Sequence, residues 1–354
     1  IKDIFFINTM TGWAANNSNV VLATTNGGMN WQTIGFGNMP GKTHLYFLNS
    51  STGFVLGSPS NDAGTERSIG KTTNGGLNFT ETFVPAVNSN GIQFVNANDG
   101  FAMFEEASEN AALYRTTNAG DNWQLVNSAN NNFIGFYFTT QLNGWMCGIN
   151  GGMMKTTNGG VNWSAQTTGA SEYLYSVYFQ NGNFGWACGT GGRIIATTNG
   201  GTSWSIQSSG TTSPLTDIKF TSTTNGICVG DNGVRLITTN GGANWVNNND
   251  PSQVQFEGIF YASPTQVYTY GQNGYVAVSP AITGIEPVNS NIPNTFSLQQ
   301  NYPNPFNPST KIEFSVPGNQ NVKLTVFDIT GKTIAELVNT DLNAGNYSIP
   351  FTAE

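Results

Sequence analysis

Residues 24–31 read Thr-Thr-Asn-Gly-Gly-Met-Asn-Trp, and the phrase returns five times. It stands as TTNGGLNF from Thr72, TTNAGDNW from Thr116, TTNGGVNW from Thr156, TTNGGTSW from Thr197 and TTNGGANW from Thr238, at intervals of roughly 40 to 48 residues. A glycine-rich turn met once can be a phosphate cradle at a helix start. Six copies, each followed by more strand-like sequence, describe a repeated building block instead.

Each copy closes a longer unit. An alternating segment comes first, as in IKDIFFIN at 1, THLYFLN at 43, GIQFVN at 91, IGFYFTT at 134, YSVYFQN at 175, TDIKFTS at 216 and EGIFYAS at 257. A second apolar segment follows (GWAA, GFVL, GFAM, GWMC, GWAC, GICV, VYTY), then a glycine turn, a third segment such as GRIIAT, and the quoted phrase. The period of two and the scarcity of good helix formers predict strands. Four short strands repeated seven times make an all-β chain with a seven-bladed β-propeller over residues 1–280. The seventh unit, EGIFYASPTQVYTYGQNGYVAVSP, lacks the TTNGG turn and a fourth strand. We expect residues upstream of Ile1 to supply that strand; the alternatives are the segment after Pro280 or a three-stranded last blade. The chain is expected to be truncated at both ends.

Within the phrase, Asn-Gly tolerates the positive φ of a tight hairpin, Asn and Thr side chains accept local N–H groups, and the terminal aromatic pins the hairpin between sheets. Thr24, Asn26, Gly28 and Trp31 therefore read as structural. So do Asn74 and Phe79, Asn118 and Trp123, Asn158 and Trp163, Asn199 and Trp204, and Asn240 and Trp245. The phrase fits the Asp-box pattern S/T-x-D-x-G-x-T-W with Asn for Asp. With GWxxG upstream, residues 1 to about 280 resemble the photosystem II stability and assembly factor type of propeller. Similar hairpins occur in sialidases, sortilin-type receptors and glucan hydrolases, so the resemblance implies a fold and leaves function open.

After the Pro/Asn/Ser-rich stretch 281–295, which reads as a linker, the pattern changes. FSLQQNYPNPFNPSTKIEFSVP from Phe296, then VKLTVFDITGKTIAELV and LNAGNYSIPF, alternate as strands of a small immunoglobulin-like sandwich. Pro303, Pro305 and Pro308 stiffen an inter-strand loop. Residues 296–354 closely resemble the C-terminal sorting domain of type IX secretion cargo. That resemblance implies contact with the secretion machinery through 296–354 and a place outside, or on the outer surface of, a Gram-negative Bacteroidetes-like bacterium.

Composition narrows the partners. The 12 basic and 20 acidic residues give a net charge of −8 with no Lys/Arg run, which argues against nucleic acid and anionic membrane surfaces. No apolar stretch approaches the roughly 20 residues of a membrane-spanning helix. Cys147, Cys188 and Cys228 fall on second strands and read as small core residues, with no CxxC pair. His44 is the single histidine, so a multi-histidine metal site within the chain is excluded; no metal or cofactor is expected.

Arg67, Arg115, Arg193 and Arg235 lie at different offsets within their repeats, which disfavours a sialidase-like arginine cluster. The long loops of blades two and three carry Asp62, Glu66, Arg67, Glu105, Glu106 and Glu109. Asp3, His44, Ser176 and Asp217 share a repeat position near the start of the innermost strands, where they would ring one channel mouth. These residues, on the face away from the Asp-box hairpins, are the candidate ligand contacts. The eight tryptophans all occupy repeat positions, so a stacking platform would use Phe36, Phe133, Tyr173 or Tyr175 in inter-blade loops. The expected function is non-catalytic binding of an extracellular or surface protein or polysaccharide. The alternatives are a secreted glycoside hydrolase using loop carboxylates, or a structural subunit of a surface layer or filament.

Overall fold

The computed structural model describes residues 1–354 except 17–19, 37–40, 42, 58–65, 109, 130–131, 264–265, 281–285, 290–292, 294, 306–308, 319, 329, 343–344 and 353–354. It divides into two compact units, Ile1–Ser279 and Pro280–Glu354.

The first unit is a ring of seven antiparallel sheets. Six have four strands in chain order, and the seventh has three, Phe256–Ser263, Gln266–Gly271 and Val276–Pro280. Among the described residues no fourth strand pairs with Val276–Pro280. The ring closes side by side instead, with the innermost strand Asp3–Phe6 packed on Phe256–Ser263.

In six of the blades one ring holds neighbours together. The phenylalanine ending an innermost strand lies flat across its cross-strand partner, a glycine, as in Phe6↔Gly12, Phe47↔Gly53, Phe138↔Gly144, Phe179↔Gly185 and Phe220↔Gly226. A Cβ on that glycine would stand 2.4–2.5 Å from the Phe ring. Flattened in this way, the ring offers its outer face to the second-strand aromatic of the preceding blade. Trp13 stacks on Phe47 at 3.7 Å, Phe54 on Phe94 at 4.6 Å and Phe101 on Phe138 at 3.6 Å. Trp145 stacks on Phe179 at 3.6 Å, Trp186 on Phe220 at 3.6 Å and Tyr268 on Phe6 at 4.2 Å. The last pair is the ring closure, and it copies the others. In most blades the Asp-box tryptophan then meets the same Phe edge-on, at 5.8 Å for Trp31 with Phe6 and 5.9 Å for Trp245 with Phe220.

The quoted phrase is built as follows. Thr24 Oγ1 is buried, donates to Asn26 Oδ1 (2.9 Å) and accepts from Gly28 N–H (2.9 Å), while Asn26 Oδ1 accepts from Asn30 N–H (3.0 Å). The same bonds recur at Thr72, Thr116, Thr156, Thr197 and Thr238. Positive φ falls on the two glycines after Asn (68° and 80° at Gly27 and Gly28), so Asn serves as acceptor rather than as the left-handed residue. The first of these glycines also accepts from the neighbouring blade: Trp13 Nε1 donates to Gly75 O, Trp145 to Gly200 O, Trp186 to Gly241 O, and Tyr268 Oη to Gly27 O at the closure. The three cysteines are free and buried, as expected of core residues.

In the second unit, Glu286–Asn289, Gly345–Thr352, Ser309–Val316 and Ser297–Leu298 form one sheet in that order, and Gln320–Phe327 pairs with Thr333–Leu342. Phe314, Val316, Val338 and Ile349 are its buried core. The linker expectation for 281–295 needs correction at Glu286–Asn289. They pair with Gly345–Thr352 as an edge strand.

Two substitutions test this scheme. Ala119 takes the first-glycine position in blade three at φ 56°. Relief of left-handed strain, about 1–2 kcal/mol, exceeds the added unfolded-chain entropy, so Ala119→Gly should raise stability by about 0.5–1 kcal/mol. Gly185→Ala should lower it by about 1–3 kcal/mol, because Phe179 must leave its stack. Urea denaturation of both variants checks these values.

Candidate functional site

The innermost strands enclose a channel of about 770 Å³. Because strand residues alternate and rise about 3.3 Å each, its wall is layered. One layer holds the repeat position shared by Asp3, His44, Ser176 and Asp217. Two residues further, roughly 6–7 Å toward the Asp-box face, the next holds Phe5, Tyr46, Gln93, Tyr137, Tyr178, Lys219 and Phe260.

The first layer is already engaged by the scaffold. Asp3 Oδ1 accepts from Ile4 N–H (2.9 Å) and Tyr270 Oη–H (3.0 Å), and Oδ2 from Leu45 N–H of the next blade (2.9 Å). Asp217 repeats the device between blades six and seven. Its Oδ1 accepts from Ile218 N–H (2.9 Å), Ser176 Oγ–H (2.7 Å) and Lys219 Nζ (3.1 Å), and its Oδ2 from Ile259 N–H (3.0 Å). Both aspartates are staples between blades. His44 Nδ1 lies 3.0 Å from Thr43 Oγ1; burial, helped by the Lys2 charge, lowers its pKa to about 4, so the ring is neutral at pH 7.

Asp3 lacks an ion-pair partner among the described residues. Burial pushes its carboxyl up to about 7, against the opposing bonds from Leu45, Tyr270 and Ile4. Lys219 differs: burial works against its charge, yet Asp217 beside it leaves the ammonium pKa raised.

The second layer also ties blades together. Tyr46 Oη donates to Phe94 O (3.0 Å), Gln93 Nε2 to Phe138 O (2.9 Å) and Tyr178 Oη to Phe220 O (2.8 Å). Lys2 and Glu257 pair at 2.7 Å one residue before the first layer, between blades one and seven.

The remaining candidates lie apart. Asp62 and Glu109 fall outside the described residues. Glu66 precedes strand Arg67–Thr72 and its carbonyl accepts from the Arg67 guanidinium, whereas Glu105 Oε2 accepts from Asn88 Nδ2 and Glu106 follows it in the blade-three loop. Tyr173 Oη donates to Asn132 Oδ1 (3.1 Å) in the connectors flanking blade four. Two residues read as loop platforms are strand residues: Phe133 is buried in the core between blades three and four, and Tyr175 lines the channel. Phe36 ends strand Gln32–Phe36, and its side chain lies outside the described part. Sequence reasoning passed over Lys219 and Tyr261, although both break the repeat.

Residues 124–209 match the family model for the photosynthesis system II assembly factor YCF48, and residues 300–352 match the secretion system C-terminal sorting domain. The chain joins a YCF48-like propeller to a secretion sorting domain. Among solved structures, one described as YCF48 bound to D1 peptide superposes with TM-score 0.65 at 19% identity, covering 78% of this chain and 90% of that one. YCF48 from Cyanidioschyzon merolae gives 0.63 at 18%, covering 77% and 93%. The GH74 enzyme of Niastella koreensis gives 0.64 at 14%, covering 89% of this chain and 57% of the enzyme. At these identities the likeness shows the fold. No curated protein matches the sequence significantly. The sorting domain makes the protein type IX secretion cargo, secreted or at the outer surface of a Bacteroidetes-like bacterium. Among the described residues no helix is long and apolar enough to cross a membrane.

The Asp3 staple gives a pH signature. With the folded pKa near 7 and the ordinary value 3.8, its neutral form is favoured in the fold, so stability is full below about pH 4 and is lost as pH rises to about 7. The stability of the native chain minus that of Asp3→Asn should therefore fall by about 2 kcal/mol between pH 5 and 7, at about 1.4 kcal/mol per pK unit. A pH-independent difference in urea titrations would remove the buried-carboxyl account.

Proposed function

We propose that the exported propeller is a non-catalytic binding module for a protein or polymer at the cell surface. One observation carries this reading: both channel aspartates have each oxygen bonded to scaffold donors, which leaves neither positioned as acid, base or nucleophile. A rigid ring with differing loops is suited to recognition. The peptide carried by a YCF48 propeller of the same fold supports a protein segment as one ligand class. The glycosidase neighbour supports the rival only at the level of fold.

The full chain, incubated with soluble extracellular polysaccharides, should release no reducing sugar above buffer. It should bind at least one surface polymer or surface protein saturably. Sugar release that disappears in a Glu105→Gln, Glu106→Gln double variant would make the protein a hydrolase instead.

A further inference from the structure

The repeat fails at one junction. Between blades six and seven, Ile227 stands where other blades carry Trp, Phe or Tyr, Val267 replaces the glycine, and Tyr261 replaces the flattened Phe. Six junctions carry an aromatic stack; for Tyr261 the described residues show none. With Val267 filling the place where a ring would lie, Tyr261 lines the channel. Its hydroxyl oxygen is buried and has no hydrogen-bond partner among the described residues.

Lys219, on the innermost strand of blade six, lines the same channel. Its counterparts Tyr46, Gln93 and Tyr178 each donate to the carbonyl of the next blade's terminal Phe, whereas among the described residues Lys219 bonds only Asp217 and sits 5.8 Å from the Tyr178 ring centroid. Asp217 shares its charge among four donors, while among the described residues the ammonium has a single acceptor and two N–H groups left over. Lys219 is also the one charge in its layer. Asp3, Asp217 and Glu257 lie at least two residues deeper toward the connector face, so an anion entering from the Asp-box side meets the cation before any acid.

Tyr261 and Lys219 thus line a channel whose wall also carries Phe5, Tyr46 and Phe260, with ring centroids 4.5 and 5.0 Å apart around Phe5. We propose that the channel at the blade six–seven junction binds a carboxylate attached to an apolar group, the carboxylate accepting from Lys219 Nζ and Tyr261 Oη and the apolar group lying on the aromatic wall. The site rests on the reading of the propeller as a binding module. It moves the expected site from the connector face to the Asp-box side of the channel. A free aromatic acid and the C-terminal residue of a peptide offer the same chemistry.

Isothermal titration calorimetry on the full chain tests this with phenylacetate, acetyl-Ala-Ala-Phe with a free carboxylate, and the same peptide as its amide. At least one carboxylate should bind saturably. Lys219→Met should weaken it about 10-fold or more and Tyr261→Phe about 3-fold or more. Lys2→Met should leave it unchanged, and the amide should bind about 10-fold more weakly. Binding of the peptide alone names a chain end as the source; binding of phenylacetate as well shows that a free acid suffices. Should Lys219→Met fail to fold, Tyr261→Phe, which removes only an unpaired oxygen, decides. Absence of carboxylate binding, equal binding by the amide, or affinity untouched by Tyr261→Phe overturns the proposal. Sugar release in the polysaccharide assay would instead overturn the underlying binding role.

Discussion

Everything in the propeller depends on one phenylalanine being able to lie flat. The ring at the end of the innermost strand in blades one to six occupies the space a side chain would take on its glycine partner, and in that pose the preceding blade stacks on it. The Asp-box turn then brings its tryptophan to the ring's edge, and its first glycine carbonyl accepts from the preceding blade's indole. Glycine, phenylalanine, tryptophan and the TTNGG turn are parts of one contact.

Ring closure follows from the same contact. Blade seven is three-stranded, yet Tyr268 stacks on Phe6 and donates to Gly27 O as the tryptophans do elsewhere. Asp3 and Tyr270 add a polar bond across the seam, and the Ile1 amino group donates to Gly271 O at 2.8 Å. The polar bonds confer direction on an interface whose attraction comes from buried aromatic area.

Much of this was legible in the sequence, because a repeat displays its structural positions by recurrence. GW, the terminal Phe and TTNGG recur, and the structure places them as the pattern implies. The stapling bonds of Asp3 and Asp217 were not legible for a physical reason: an aspartate near a strand start looks like a mouth residue, and its bond to the next blade's N–H depends on blade-to-blade geometry that no local pattern carries. In the loops of blades two and three charge is visible in the sequence. The substitutions Ile227, Val267, Tyr261 and Lys219 were quieter, since each is an ordinary strand residue and is exceptional only when its repeat counterparts are set beside it.

The aromatic stack supplies blade-to-blade cohesion, and its interruption between blades six and seven costs stability. Restoring the repeat tests both parts at once. The midpoint of urea unfolding for the Ile227→Trp, Tyr261→Phe, Val267→Gly variant should lie above that of the native chain. An unchanged or lower midpoint, with the fold intact by circular dichroism, would contradict the account.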